Sequence, residues 1–404
     1  MPSAPNTASS MIVRTATNPT YTIYNLGQNQ ILLGQDIITS SQLGSDFNFA
    51  GPGAVTLDFF GPTLDLWVSA PTTIFSVPVN LFVVYNINGN TITNSNTWGA
   101  IGQEWQVQGF GYFFGLGQAD MLTRNVSNNT ATYLAYNTEN NQFNGVITAA
   151  VVGANFNTAG LGTYFTVSGS TFAELMVLSH VSDGRGVLSA YAYSNGNIGV
   201  NYSPDFATIG NGQDWEVLGF GHFNSQFGLN MIVRNIDPTS ANFQQVWIYD
   251  VVQTATGNYT AQLSTAVPPG QTQAGILGAI GLEWKVAGIA PVNPPSLDPF
   301  TLIGTNDLVM RNTNTGALQV YDIQGDVLTG SKALTPPASN PIAATSTVGG
   351  MATDFSAPAS GSTSQLVQAM AGFGDGSDAA AGLNAAPLGA DTSQQSFLTT
   401  PQHG

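Results

Sequence analysis

One phrase recurs along this chain: an acid or amide, an aromatic, then alternating residues that close on Gly-x-Gly or a near variant. It reads EWQVQGFG from Glu104, DWEVLGFG from Asp214 and EWKVAGIA from Glu283. Weaker copies are DFNFAGPG from Asp46 and NFNTAGLG from Asn155, and a faint one is VGGMA from Val348. The first glycines fall at Gly51, Gly109, Gly160, Gly219, Gly288 and Gly350, 51 to 69 residues apart. A sustained period of this length means that one small unit is repeated, because such a unit cannot bury its apolar side alone.

Two further phrases follow each marker in fixed order. The first reads DMLTRN from Asp120, NMIVRN from Asn230 and DLVMRN from Asp307, with relatives LDLWVSA from Leu64 and ELMVLSH from Glu174. The second is a Tyr-containing strand, as in FVVYNI from Phe82, QVWIYDV from Gln245 and LQVYDI from Leu318. A polar turn such as Gln324-Gly325-Asp326 and a short last segment complete the unit. Period-2 alternation broken by Gly and Asn predicts four antiparallel strands per repeat, which is the blade of a β-propeller. A helical solenoid is disfavoured, because no segment before the tail sustains a 3.6-residue period. The N-terminus offers MIVRT from Met11 and a Tyr strand from Tyr21 but no first strand. The copy near Gly350 supplies it, closing a ring of six blades over residues 11–352 and leaving no open sheet edge.

Outside this span, residues 1–10 are expected to be disordered. From 353 to 404 the chain is acidic and low in complexity, and no Lys or Arg follows Lys332. Such a segment cannot bury enough surface to offset chain entropy. A short helix is expected at 364–373, where Leu366, Met370 and Phe373 share one face.

The surface follows from the charge count. Only 7% of residues are charged, with 23 acids against 7 Lys and Arg and a net charge of −16. That balance argues against nucleic acid and anionic lipid as partners and is compatible with glycans, cell-surface proteins and divalent cations. The absence of cysteine excludes disulfides and thiolate chemistry. No stretch is apolar for the length of a membrane helix; the nearest, Thr73 to Tyr85, alternates like a strand. The N-terminal residues lack the basic and apolar regions of a signal peptide.

The order W-x-V-x-G-x-G, then D-[ML]-[LV]-x-R-N, then a Tyr strand resembles the FG-GAP/VCBS-type repeats of bacterial propellers. That resemblance implies calcium held by a loop of the form D-x-N-x-D-G-x-x-D. Here Tyr112, Phe114 and Leu116 stand at the first ligand positions of the loop closing on Asp120. His222, Asn224 and Gln226 stand there in the loop closing on Asn230. No cofactor is therefore expected, with calcium left open where the family's ligand positions are mostly lost. The acidic, cysteine-free chain and its tail also resemble proteins exported by bacterial type I secretion, which places it outside the cell or at its surface.

Candidate chemistry is sparse. The histidines are His180, His222 and His403, none in a hydrolase or zinc motif. Arg14, Arg124, Arg234 and Arg311 share one repeat position, and Asp46, Glu104, Asp214 and Glu283 share another. A ring of arginines could bind anions; the structural reading pairs each with an acid or with blade carbonyls. Trp105, Trp215 and Trp284 recur and are expected to pack between blades. Trp67, Trp98 and Trp247 do not recur at that position and, with His180 and His222, are the ligand candidates. No catalytic pair is identifiable; Asp58, Asp65, Asp120, Glu174, Asp183 and Asp205 could converge in a funnel. The expected function is a secreted bacterial binding or adhesion propeller. The alternatives are an enzyme acting on polysaccharide in the funnel, as a lyase or glycoside hydrolase, and a passive extracellular matrix component.

Overall fold

The computed structural model describes residues 9–14, 20–38, 48–53, 57–58, 61–62, 64–88, 91–115, 119–139, 142–165, 172–180, 187–194, 197–209, 215–224, 228–267, 274–293, 306–336 and 347–353. The expected tail helix at 364–373, His403, Asp46, Asp183 and Asp214 lie outside the described residues. All regular elements among the described residues are strands, and no helix there is long and apolar enough to cross a membrane.

The strands form six antiparallel sheets in chain order around one axis, so the chain is a six-bladed β-propeller. Blade 2 runs from its inner strand Asn48–Gly53 through Leu64–Ile74 and Val77–Asn88 to Thr91–Gly102. Blade 3 is Gln106–Gly111, Asp120–Ser127, Thr130–Asn137 and Gly145–Gly153; blade 4 is Phe156–Phe165, Phe172–His180, Val187–Ser194 and Asn197–Thr208. Blade 5 is Trp215–Gly221, Leu229–Asn235, Gln245–Gln253 and a fourth strand split into Tyr259–Leu263 and Ile276–Ala279. That insertion accounts for the longest repeat. Blade 6 is Trp284–Ala290, Asp307–Asn312, Leu318–Gln324 and Val327–Leu334.

Blade 1 closes the ring. Its inner strand, Thr347–Thr353, comes from the far end of the chain and pairs antiparallel with Ser9–Arg14, Met11 opposite Met351. Tyr21–Gly27 and Gln30–Ile38 follow outward. Every blade therefore has four strands in register, and each inner strand meets the next around the axis.

The repeat phrase has a backbone cause. In all six blades the pairing between inner and second strand slips by one residue immediately before the marker glycine, as between Val107 and Gly109 or Val217 and Gly219. The phrase W-x-V-x-G is thus the sequence of a β-bulge, which bends and twists the inner strand at one height around the ring. Gly109 takes φ 148° there, a conformation that favours glycine. The second glycine serves packing: a side chain at Gly162 would collide with Phe220 and Leu229 of the next blade.

Between each adjacent pair of blades lies one apolar core. Met121, Phe110, Trp67 and Trp98 fill the space between blades 2 and 3, and Leu122, Tyr133, Met176 and Tyr193 that between blades 3 and 4. Four further clusters fill the other interfaces. Hydrophobic burial thus cements blade to blade.

Candidate functional site

The inner strands all run the same way, so the propeller has two unlike faces. At one, here the Arg face, each inner strand begins and each second strand ends in its Arg position. At the other, the Asp face, each second strand begins in its acid position.

On the Arg face the sequence G-x-[DEN]-[WF] builds a tight turn into the inner strands of blades 3 and 6. Trp105 N donates to Gly102 O at 3.0 Å and Trp284 N to Gly281 O at 3.1 Å. The exposed Glu104 and Glu283 fold back so that their carboxylates occupy the place a side chain at Gly102 or Gly281 would take. Two of the recurring arginines, Arg124 and Arg234, grip the entry to the next blade's inner strand. Arg234 donates to Gly281 O and Trp284 O, both at 2.8 Å, and Arg124 to Ala154 O and Phe156 O, both at 3.0 Å. Each thus spans two blades. Arg124 also lies over the Tyr133 ring. The acid met by Arg234 is Glu216, at 2.5 Å, and Glu216 in turn faces Lys285 of blade 6 at 3.5 Å. Arg14 lies against the Tyr21 hydroxyl and Arg311 is half-buried at the same blade position.

The residue after the aromatic that opens the inner strand is solvent-accessible at one register position on the Arg face, the end taken here as the channel mouth: Gln106 and Asn157 are exposed, Lys285 is 56% and Glu216 28% exposed. Deeper, Thr158 Oγ1 donates to Gln108 Oε1 at 2.9 Å, joining blades 3 and 4. Trp105, Trp215 and Trp284 sit half-buried beside this ring. The mouth therefore combines amides, a hydroxyl, one ion pair and aromatic edges.

On the Asp face Ser10, Asp65, Asp120, Asn230 and Asp307, which share one register position, and Glu174, one residue off it, are all buried. The side chains of Asp120, Asn230 and Asp307 cap the loops that leave their inner strands. Asp120 accepts from Phe114 N at 2.8 Å, Asn230 from Phe223 N at 3.0 Å, and Asp307 from Val292 N and Asn293 N at 2.8 and 2.9 Å. Glu174 accepts from Thr163 Oγ1 at 2.6 Å. Burial pushes Asp120 well above the ordinary carboxyl range, and Glu174 and Asp307 up to about 7, against the opposing pull of these donors. Asp65 is tied to its own blade by Asn86, whereas Glu174 of blade 4 reaches into blade 3, where it accepts from Tyr112 N, lies against Gly111 and faces Asp120. Asp205 is exposed on the outer strand of blade 4, and Asp58 lies on a separate two-stranded ribbon, Leu57–Asp58 with Gly61–Pro62.

The ligand candidates fare differently. Trp67 and Trp98 are 0% and 5% exposed, stacked edge to face at 5.4 Å with Phe110 and Phe82 around them. Side chains so enclosed present no face to a ligand, which corrects the expectation for both. Trp247 is half-buried and meets Trp215 at 5.1 Å. His222 is buried on the Asp face with Nδ1 against Gly228 O, and desolvation holds it neutral, down to about 4. His180 ends the second strand of blade 4, opposite Phe156. His222, being on the Asp face, lies away from the Arg-face mouth. The mouth residues Gln106, Asn157, Glu216 and Lys285 were missed in the sequence, although they recur at one step past the aromatic.

Six four-stranded sheets about one axis, closed by their two chain ends, define the class as a six-bladed β-propeller. No family model and no curated protein matches the chain. Solved structures similar to it include the α-L-arabinofuranosidase Arb93A of Fusarium graminearum with an iminosugar inhibitor, 7% identical at TM-score 0.36 over 79% of this chain and 82% of that one. The GH93 α-L-arabinofuranosidase of the same fungus with arabinobiose is 10% identical at TM-score 0.38 over 74% and 87%. A prolyl endopeptidase is 8% identical at TM-score 0.36 over 80% of this chain and 42% of its own. At TM-scores this low the likenesses carry no argument about activity or substrate.

Proposed function

We propose that this protein is a secreted bacterial binding propeller whose Arg-face channel mouth takes a neutral, hydroxyl-rich ligand, a glycan chain foremost. The observation that supports this reading is how the ionisable groups are used. Arg124 and Arg234 hold carbonyls of the next blade, Asp120 and Asp307 cap loops inside their own, and Glu174 is held by Thr163 and by Tyr112 N of the neighbouring blade. What faces solvent at the mouth is Gln106, Asn157 and the ion pair of Lys285 with partly exposed Glu216, with half-buried Trp105, Trp215 and Trp284 beside them. Amides beside aromatic edges suit sugar hydroxyls and C–H faces. The net charge of −16 disfavours anionic ligands. The same acidic, cysteine-free composition and the resemblance to FG-GAP/VCBS-type repeats support export from a bacterium.

The test is titration of the full-length protein on immobilised neutral and acidic glycans, with polysaccharide turnover followed in the same samples. Saturable binding to a neutral glycan is expected, weakened about tenfold or more by the pair Gln106→Ala and Asn157→Ala. Release of product from any polysaccharide moves the reading to an enzyme, and Glu104, Glu216 and Glu283 are then the first acids to replace.

A further inference from the structure

The two interfaces of blade 6 are built alike and differ by one functional group. In each, the turn between the third and fourth strands of one blade reaches an acid on the third strand of the blade before it. Where blade 1 meets blade 6, the turn residue is Asn29, at φ 57°, and its Nδ2 donates to Asp322 Oδ2 at 2.8 Å. Where blade 6 meets blade 5, the turn residue is Asp326, at φ 63°, and the acid is Asp250, which follows Tyr249 as Asp322 follows Tyr321. The first contact joins an amide to a carboxylate. The second sets one carboxylate against another.

Asp326 is 3% exposed. Its Oδ2 accepts from Ser264 Oγ and from Asn224 Nδ2, both at 2.8 Å. Asn224 Nδ2 also reaches Asp250 Oδ1 at 2.8 Å, and Asn230 Nδ2 reaches the same oxygen at 2.7 Å. Asp326 Oδ1, buried between the blades, meets no N–H or hydroxyl donor and is faced by the Asp250 carboxyl. Among the described residues neither acid forms an ion pair with Lys or Arg. Two facing carboxylates with a buried oxygen that meets no donor lack a positive counterpart, and leaving such a pair uncompensated is costly.

We propose that Asp250 and Asp326 bind one divalent cation of the calcium class, which bridges blades 5 and 6. The two carboxylates offer up to four oxygens. Asn224 adds one when its amide is turned about, Ser264 adds its hydroxyl, and water completes a shell of six to eight. Half-exposed Asp250 leaves the site open to solvent on one side. Both carboxylates come from outside the loops on which the repeat family places its calcium ligands, and neither the site nor its test depends on what the channel mouth binds. The irregular oxygen set favours calcium over magnesium, which demands a tighter octahedron.

The experiment compares the full-length protein with Asp326→Asn, which recreates the Asn–Asp contact of the neighbouring interface and is at ease at positive φ. Chelator-treated samples are titrated with calcium chloride by calorimetry and by thermal unfolding near neutral pH. The native protein is expected to bind one equivalent that Asp326→Asn binds about tenfold more weakly or not at all. Its Tm should rise with calcium and respond less to magnesium, while the Tm of Asp326→Asn stays put and exceeds that of the chelated native protein. Asp250→Asn serves the same comparison if Asp326→Asn does not fold. A calcium response equal in native and variant proteins overturns the proposal. So does a native protein whose Tm follows pH but ignores calcium, since a shared proton then holds the pair.

Discussion

Arg234 and Arg124 stand at one repeat position and each bonds two carbonyls of the next blade's turn, but Arg234 is wholly buried and also pairs with Glu216, whereas Arg124 is half-buried. Their replacement should cost accordingly. Arg234→Met strips the donors from Gly281 O and Trp284 O and is expected to lower stability by about 3 kcal/mol. Arg124→Met, with water able to replace the lost donors, is expected to cost about 1 kcal/mol. Urea denaturation of the two variants measures both, and equal losses would show that burial does not set the difference. That these arginines recur was plain in the sequence. Their partners were not, because a backbone carbonyl has no residue letter to read. Trp67 shows the converse failure. Its failure to recur suggested a ligand, yet LDLWVSA laid against DMLTRN puts it level with Leu122, a core position; both pair with a marker glycine, Gly51 and Gly109.

Among the elements, the hairpin of blade 2 departs most from its expected form. Thr73 to Tyr85 alternates as one strand would, but the chain reverses at Phe75 and Ser76, both at positive φ, between Leu64–Ile74 and Val77–Asn88. Other turns were legible because Asn128-Asn129 or Gly325-Asp326 adopt that conformation readily; Phe and Ser give no such signal. The tip carries Phe75 at 84% and Val77 at 55% exposure on the Arg face. Ser76→Gly relieves the left-handed backbone and is expected to raise stability by about 1 kcal/mol. Chemical denaturation checks this, and a loss instead would mean that the Ser76 side chain holds the turn. The bulges were legible only in disguise: the glycines announced a repeat, while the slipped register that requires them appears only when two strands are paired.

For the molecule as a whole, acidity and closure set stability. Glu174 and Asp307 are raised to about 7 by burial, so the folded protein keeps protons that the unfolded chain releases near pH 4. Stability from these groups is complete below that value and is lost as pH rises through 7. His222, lowered to about 4, acts in the opposite sense, its share being present above pH 6.5 and lost as pH falls through 4. With two carboxyls against one imidazole, Tm is expected to be higher at pH 5 than at pH 8, and to lose much of that difference in Glu174→Gln. A second test concerns the ring. A chain ending at residue 353 keeps every sheet described and should melt within a few degrees of the full protein, whereas one ending at 346 lacks the inner strand of blade 1 and should aggregate or unfold. The export reading predicts further that removing 361–404 leaves a folded protein inside the cell; its continued secretion would count against type I export. Closure also orders events in time. Ser9–Arg14 is synthesised before every other strand of the propeller, but its neighbour Thr347–Thr353 is made only after all the other blades. Until then blade 1 shows a bare edge, and any chain cut short on the ribosome keeps that edge as a mark that chaperones and proteases can read.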